Sequence, residues 1–318
     1  MNRFLNFNKI LWKVLALYTN NIVKLLFISS IVITQDWELV WSDEFEENGE
    51  VNSDNWFHQT QIPQSGSWYN GEIQHYTDRI DNSFVSNGTL KIIAKNETYT
   101  DQGYTKQYTS ARLNSKYAFK YGKVEIRAKL PEGNGTWPAL WMLGKNIDEP
   151  GAYWQTLGYG NTPWPDCGEV DIMEHWGSNQ NYIQSAIHTP SSFGGTVNLG
   201  GQYISNVSSE FHIYTFEWYE EEMIFSVDDN IHYIYSPETY NLDTWPFDSE
   251  MYLLLNVAIL PSISPNFNES SMEIDYIRIY ENQNSCIDII CENNQICENG
   301  NCVDIPIAPK VTFLVDMQ

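Results

Sequence analysis

The sequence predicts an all-β protein, built as a two-sheet antiparallel sandwich of the jelly-roll type. Between Trp37 and Tyr280 it consists of short runs in which apolar and polar residues alternate with a period of two. Gly, Asn, Asp and Pro separate the runs, and long amphipathic helical patterns are absent. Many strands at short spacing favour a sandwich or barrel, and a single long stretch of them favours a jelly roll. The clearest runs cover residues 89–94, 123–130, 213–218, 223–227, 252–257 and 272–280.

Four segments follow from patterning along the 318 residues. Residues 1–35 are predicted to be an export leader, and residues 36–282 one large β domain. Residues 283–304 form a small cysteine-rich segment, and residues 305–318 a linker with the first strand of a truncated further domain. A hydrophobic content of 42% with 18% charged residues indicates a globular chain that can bury a sizeable core.

The charge balance excludes some partners. The formal net charge is −24, which repels phosphate backbones, so nucleic acid is not an expected partner. A heavily sulfated polysaccharide is disfavoured for the same reason, whereas a neutral glucan is compatible. Twelve Trp and 20 Tyr suit a protein that stacks aromatic rings on flat, neutral sugar faces.

The N-terminus has the features of an export signal. Arg3 and Lys9 precede an apolar run over residues 25–34, which is too short to span a bilayer comfortably. We therefore expect a secreted or cell-surface protein without stable membrane insertion. An uncleaved membrane anchor is the alternative.

Cysteine spacing supports an oxidising compartment. Four of the five cysteines fall within 17 residues with the spacing C-x4-C-x5-C-x4-C, which lacks the C-x2-C arms of a zinc site. A small disulfide-linked segment is predicted, without a defined pairing. Cys167 stands apart from this group, which comprises Cys286, Cys291, Cys297 and Cys302.

A cluster of carboxylates is the strongest functional signal. In the β-type segment CGEVDIMEHWG, Glu169 and Asp171 are two residues apart and share one face of a strand. Glu174 would point to the opposite face of a regular strand, but a β-bulge at Ile172 or Met173 would return it to the shared face. An acidic solvent-facing strand and a metal site are the alternatives. Three carboxylates in one cleft fit glycosidic bond cleavage with retention, which needs a nucleophile and an acid/base with different protonation states.

The segment GEVDIMEHWG resembles the active-site signature of glycoside hydrolase family 16 in its bulged form, E-x-D-x-x-E. The similarity covers about residues 37–281. The other blocks that agree, in the family's order, are LVWSDEF (39–45), WYNGEIQHYT (68–77), SARLNSK (110–116), GKVEIRAKLPEGNGTWPALWML (122–143) and MEIDYIRIY (272–280).

This resemblance implies a concanavalin A-like jelly roll with a concave catalytic cleft over residues 36–282. It implies that Glu169 is the nucleophile, Asp171 an assisting carboxylate and Glu174 the acid/base. The implied reaction is endo-hydrolysis of β-1,3-glucan, without a cofactor for catalysis and by a monomer. Mixed-linkage glucan or an agarose-type galactan is the alternative substrate, and a non-catalytic glucan-binding module is the alternative class. Both glutamates are present, which disfavours the binding module.

The resemblance also implies further site residues. Substrate-binding positions are implied for Asn70 and Glu72 on the non-reducing side of the cleft, and for Arg112, whose alternative is a surface ion pair. Aromatic and imidazole cleft positions are implied for Trp137, Trp141, Trp164 and His188. For Trp141, a core position and a cleft position are equally compatible with the sequence.

A structural calcium ion on the convex side is implied as well, bound by Glu44, the carbonyl of Gly88 and Asp275, because oxygen ligands from separated segments suit Ca²⁺. Two departures from the family concern the cleft. The strand LLLNVAIL continues with PSISPNFNES instead of a Gly-rich stretch, and the insert at 146–165 is long and is expected to form a wall of the cleft.

Overall fold

The computed structural model describes residues 37–63, 65–282, 291, 295–298 and 301–304. These residues form nineteen strands, one short α-helix, α1, at Tyr153–Thr156, and two 3-10 helices at Tyr69–Gly71 and Gly177–Asn179. In chain order the strands are β1 Trp37–Asp43, β2 Trp56–His58, β3 His75–Tyr76, β4 Ser83–Ser86, β5 Thr89–Asp101, β6 Tyr104–Ser110, β7 Arg112–Phe119, β8 Gly122–Lys129, β9 Thr136–Gly144, β10 Glu169–His175, β11 Tyr182–His188, β12 Leu199–Tyr203, β13 His212–Trp218, β14 Met223–Val227, β15 Asn230–Tyr235, β16 Met251–Ile259, β17 Glu269–Asn282, β18 Gln295–Glu298 and β19 Asn301–Asp304.

Two large sheets make up the domain. The ten-stranded sheet has the order β15-β14-β13-β8-β17-β5-β6-β3, with β1 on β17 and β4 on β5. The seven-stranded sheet has the order β12-β11-β10-β9-β16-β7-β2. Among these strands the pairing is antiparallel, except for the two-residue pairing of β3 with β6. The predicted all-β, two-sheet antiparallel sandwich is confirmed.

The core lies between the two sheets. On β8, residues alternate strictly between buried and partly exposed, so that Val124 and Ile126 face the core while Lys123 and Glu125 face outward. Leu253 and Leu255 of β16 join the same core from the other sheet. Period-two alternation in the sequence therefore indicates a strand with one face against the core and the other toward solvent.

Strand β16 is different because all nine of its residues are buried. Leu254 and Tyr252 point away from the main core into a second apolar cluster with Leu143, Ile147 and Cys167. The insert at 146–165 covers this cluster. A sheet strand with both faces covered reads as a continuous apolar run, and this explains the sequence MYLLLNVAI.

The cysteine-rich segment is described in part. Strands β18 and β19 form a two-stranded sheet, and a disulfide joins Cys291 to Cys302. Cys286 and the side chain of Cys297 lie outside the described residues, as do the predicted leader at 1–35 and the predicted linker and strand at 305–318. In the part of the chain that the structure describes, none of the helices has the length and apolar character needed to cross a bilayer.

We expect Trp218→Ala to lower the free energy of unfolding by about 3–5 kcal/mol, because it removes a large side chain from a packed core. Trp218 is 1% exposed and its ring packs against those of Phe119 and Tyr121 at centroid distances of 6.0 and 5.2 Å. Urea denaturation would measure the loss. Ile231→Ala, at a position 59% exposed, is the matched control and should change stability by less than about 0.5 kcal/mol. Equal losses in both variants would contradict this description of the core.

Candidate active site

Strand β10 contains the bulge that the sequence predicts. Against β11, Asp171 pairs with Ala186 and Glu174 pairs with Gln184, so three steps on β10 match two on β11. Against β9, the register shifts between Asp171 and Met173. The extra residue lets both Ile172 and Met173 enter the main core. Glu174 consequently returns to the face that already carries Glu169 and Asp171.

The three carboxyl groups line one cleft of about 760 Å³. The cleft crosses the seven-stranded sheet from β7 to β12, and the carboxylates lie near its middle on β10. All ten sequence-predicted catalytic and substrate-binding residues line this cleft: Asn70, Glu72, Arg112, Trp137, Trp141, Trp164, Glu169, Asp171, Glu174 and His188.

Two indoles hold the two glutamates. The Trp164 Nε1–H donates to Glu169 Oε2 at 3.1 Å, and the Trp137 Nε1–H donates to Glu174 Oε1 at 3.0 Å. The Trp137 ring stacks on that of Trp176 at 5.8 Å. Each indole therefore orients one carboxylate and still offers an apolar face to the cleft.

His188 approaches the other side of the cluster. The backbone N–H of Gly194 donates to His188 Nδ1 at 3.1 Å, which places the ring proton on Nε2. Nε2 lies 3.1 Å from Asp171 Oδ2 and 3.5 Å from Glu169 Oε1. The imidazole thus presents an N–H to the carboxylates.

Burial dominates the electrostatics of the cluster. It raises the pKa of Glu169, Asp171 and Glu174 above the ordinary carboxyl range, because the charged forms lose water. The charge of Asp171 raises the pKa of Glu169 and Glu174 further, while His188 and the indole hydrogen bonds lower both. The cluster therefore retains protons at pH values where isolated carboxyl groups are ionised, as an acid catalyst requires.

A metal does not suit this cluster, although ligand atoms of Glu169, Asp171 and His188 lie within 4.8 Å of one another. Because His188 Nδ1 accepts a hydrogen bond from the Gly194 N–H, the ring proton is on Nε2. Nε2 therefore has no free lone pair with which to bind a metal ion. One oxygen of Glu169 already accepts from Trp164. The two glutamates therefore accept hydrogen bonds from indole N–H groups, and His188 faces Asp171 with an N–H instead of a lone pair.

The β7 side of the cleft contains a second polar network. Tyr76 Oη donates to Glu72 Oε2 at 2.8 Å, and Asn256 Nδ2 donates to Tyr76 Oη at 3.1 Å. Trp141 Nε1–H donates to Asn256 Oδ1 at 2.7 Å. Burial raises the pKa of Glu72, which is 7% exposed beneath the cleft. Trp141 is half-buried and lines the cleft, so both of its sequence readings hold in part.

Arg112 does not make the surface ion pair that was its alternative reading. It is 4% exposed and pairs with Glu149 at 2.9 Å, inside the cleft wall. Arg112 lines the cleft, and its substrate-binding role stays a prediction. The surface alternative is wrong because the guanidinium is buried beneath the insert.

Several cleft residues were missed by sequence reasoning. Asn256 is the one polar residue within the apolar run of β16, and this isolated amide is a signal that could have identified it. Glu149 carried no signal beyond its place in the insert. The remaining cleft residues that were not predicted include Tyr69, Gln184, Thr196 and Leu199.

The three positions implied for calcium do not form a cation site in this arrangement. Both oxygens of Glu44 accept from Arg278, at 2.9 and 2.8 Å, and Asp275 pairs with Arg127 at 2.5 Å. Gly88 lies at a tight turn with φ +73°. Two guanidinium groups already neutralise the two carboxylates, so the residues present do not fit a calcium ion.

Comparison with known proteins decides the family. The model for "Glycosyl hydrolases family 16" matches residues 70–278. The chain belongs to this family. The family 16 resemblance seen in the sequence is therefore confirmed, and with it the class of glycoside hydrolase.

The chain is similar to proteins with different named activities. A "Beta-glucanase" of Rhodothermus marinus is 37% identical over 260 residues, covering 77% of this chain and 85% of the relative. A "Keratan-sulfate endo-1,4-beta-galactosidase" of Sphingobacterium multivorum is 30% identical, covering 80% of this chain and 58% of the relative. The crystal structure of LamAcat from Zobellia galactanivorans superposes with a TM-score of 0.70 at 46% identity, covering 76% of this chain and 97% of that one.

We expect Glu169→Gln to stabilise the fold, and more so at high pH. A carboxyl whose native pKa is raised favours folding while protonated, and that contribution is lost as pH rises from the ordinary value of 4.5 through the raised pKa. Gln cannot ionise, so the variant avoids this loss. Thermal unfolding at about pH 4 and about pH 9 should show a larger gain at the higher pH. Glu238→Gln, at an exposed position, is the control. A gain that is equal at both pH values would contradict the burial argument.

Proposed function

We propose that this protein is a retaining endo-hydrolase of β-1,3-glucosidic bonds in laminarin-type β-glucan. The observation that carries the proposal is the bulge in β10, which places Glu169, Asp171 and Glu174 on one face inside the cleft. A hydrolase of this kind needs two carboxyl groups flanking the scissile bond. The family resemblance supplies their roles.

In the first step, the Glu169 carboxylate attacks the anomeric carbon while the Glu174 carboxylic acid protonates the glycosidic oxygen. The C–O bond to the leaving sugar breaks, and a covalent ester joins the glycosyl unit to Glu169. Burial favours the protonated form of Glu174. The Trp164 N–H and the His188 N–H favour the ionised form of Glu169.

In the second step, Glu174, now a carboxylate, removes a proton from water. The water oxygen attacks the anomeric carbon and displaces Glu169, and the configuration of the substrate is restored after two inversions. Asp171 lies between the two glutamates along β10, and its Oδ2 lies 3.1 Å from His188 Nε2. Asp171 is therefore placed to adjust the charge of Glu169 in both steps.

The length of the cleft supports internal cleavage of a polymer. The lining residues extend from β7 to β12, which are five strand-to-strand steps apart. At about 4.8 Å per step this is roughly 24 Å, enough for several sugar units on both sides of the carboxylates.

A neutral β-glucan is favoured over a charged polymer. The chain carries a net charge of −24, and Arg112 in the cleft is neutralised by Glu149. The relative named as a β-glucanase supports the same substrate class. The relative named for keratan sulfate keeps an agarose-type or other galactan as the second candidate.

Extracellular localisation belongs to the proposal as well. The Cys291–Cys302 disulfide supports an oxidising compartment.

Structural calcium, bound by Glu44, Gly88 and Asp275, would require both arginine pairs at these carboxylates to open. Catalysis as described needs no metal or organic cofactor.

The substrate is tested by product analysis on laminarin, barley mixed-linkage glucan and agarose in parallel. Short oligosaccharides should form from laminarin first, with the β-anomer initially in excess because the mechanism retains configuration. Faster cleavage of another polymer would overturn the substrate and keep the mechanism. Absence of products from all three, with retention on a laminarin column, would show a binding module instead.

The catalytic roles are tested by two variants. Glu169→Ala should abolish turnover while the circular dichroism spectrum stays that of the wild type, because no ester can form. Glu174→Gln should lower kcat by about 10²–10⁴-fold, the usual contribution of a general acid. Aryl glucosides with good leaving groups should lose less in Glu174→Gln, since they need less protonation. Near-normal turnover in Glu169→Ala would exclude Glu169 as the nucleophile.

A further inference from the structure

A buried ion pair joins the insert to the sheet at the edge of the cleft. Arg112 begins β7, and its Nη2–H groups donate to both oxygens of Glu149, at 2.9 and 3.1 Å. The two side chains are 4% and 7% exposed. Both residues line the cleft on the side that carries Glu72 and Asn256.

Arg112 is also held between two indoles. Its guanidinium carbon lies 5.3 Å from the ring centroid of Trp68 and 4.8 Å from that of Trp141. The planes of the rings and the ion pair leave the guanidinium little freedom. Within the described residues, the buried Arg112 Nε–H has no hydrogen-bond partner.

The insert that supplies Glu149 is itself well anchored. The backbone N–H of Asp148 donates to the Thr162 carbonyl at 2.8 Å, and that of Ala152 donates to the Glu149 carbonyl at 3.0 Å. The Tyr153 N–H donates to Asn114 Oδ1 on β7 at 3.0 Å. The segment that carries Glu149 is therefore hydrogen-bonded to β7, the strand that carries Arg112.

We propose that Glu149 is a positioning residue for sugar binding: it fixes the Arg112 guanidinium between Trp68 and Trp141 and neutralises it, so that this end of the cleft binds a neutral glucan. The proposal deepens the proposed function and rests on it. A guanidinium with one edge held by a carboxylate can direct its remaining N–H groups only along fixed directions. Ordering it in advance removes an entropic penalty from sugar binding.

Neutralising the charge of the Arg112 guanidinium also favours a neutral glucan. An unpaired guanidinium in a cleft favours sulfate or carboxylate groups, which Arg binds in bidentate fashion. Pairing with Glu149 leaves no net charge at this position. The sugar hydroxyls of a neutral polymer can then compete for the remaining donors without displacing a counter-ion.

The test is steady-state kinetics of Glu149→Gln on laminarin. We expect KM to rise about tenfold, which corresponds to about 1.4 kcal/mol of lost binding, with kcat little changed. Glu149 does not touch the carboxylates of β10, so a loss confined to KM would show that substrate binding is weakened and the chemical step is intact. Glu250→Gln is the matched control, because it removes the exposed Lys145–Glu250 pair at the base of the same insert and should leave KM unchanged.

The variants Arg112→Gln and Glu149→Gln/Arg112→Gln separate indirect from direct action. If Glu149 acts through Arg112, Glu149→Gln should raise KM no further once Arg112 is Gln. Additive effects would overturn the proposal, since they would mean that Glu149 binds sugar on its own. The double variant also avoids a buried unpaired charge, and a wild-type unfolding transition in it excludes a defect of folding.

Affinity for laminaritetraose, measured by calorimetry in the Glu169→Gln background, keeps this test independent of turnover. Weaker binding after Glu149→Gln would support the positioning role even if the wild type cleaved another polymer. Unchanged affinity, or no binding in any variant, would overturn it, whereas failure to cleave laminarin would overturn only the proposed function.

Discussion

One extra residue in β10 determines the chemistry of the whole cleft. In a strand without the bulge, Glu174 would point into the core that Ile172 and Met173 now fill. A carboxylate there would lie among apolar side chains without a partner, at a severe energetic penalty. With the bulge, Ile172 and Met173 both enter the core, and Glu174 becomes the third carboxyl group on the cleft face. The neighbouring strands β9 and β11 both shift register around it, so the sheet accommodates the bulge on both sides.

Placing three carboxyl groups in one partly buried cluster has two opposite effects. Burial raises the pKa of all three groups, and the charge of Asp171 raises the pKa of Glu169 and Glu174 further. The raised pKa supplies a proton to the acid catalyst but works against ionisation of the nucleophile. The N–H groups of Trp164 and His188 counter this at Glu169. The same donors cannot remove the loss of stability that buried carboxylates cause, so the site is an example of function maintained against stability. The apolar interior of the sandwich compensates for it.

Much of this architecture could be predicted from local patterns. Period-two alternation identified the strands, and the spacing of Glu169, Asp171 and Glu174 predicted the bulge, because both depend only on which face a residue occupies. Contacts between distant segments could not be predicted in this way. Arg112 and Glu149 are 37 residues apart, and the His188–Gly194 hydrogen bond depends on the path of a loop. The arginine partners of Glu44 and Asp275 are set by strand register, which sequence similarity to a calcium site does not reveal.

The tryptophans show why a choice between core and cleft was too narrow. Trp137, Trp141 and Trp164 each donate an indole N–H to a polar group of the site, at 3.0, 2.7 and 3.1 Å. An indole has one polar edge and two large apolar faces, so a single side chain can hold a catalytic or network residue and still offer a surface to a sugar. The Arg112 guanidinium lies over the face of Trp141, with its carbon 4.8 Å from the ring centroid. These three tryptophans therefore supply both apolar walls and hydrogen-bond donors to the cleft, whereas Trp56, Trp218 and Trp245 lie in the hydrophobic core.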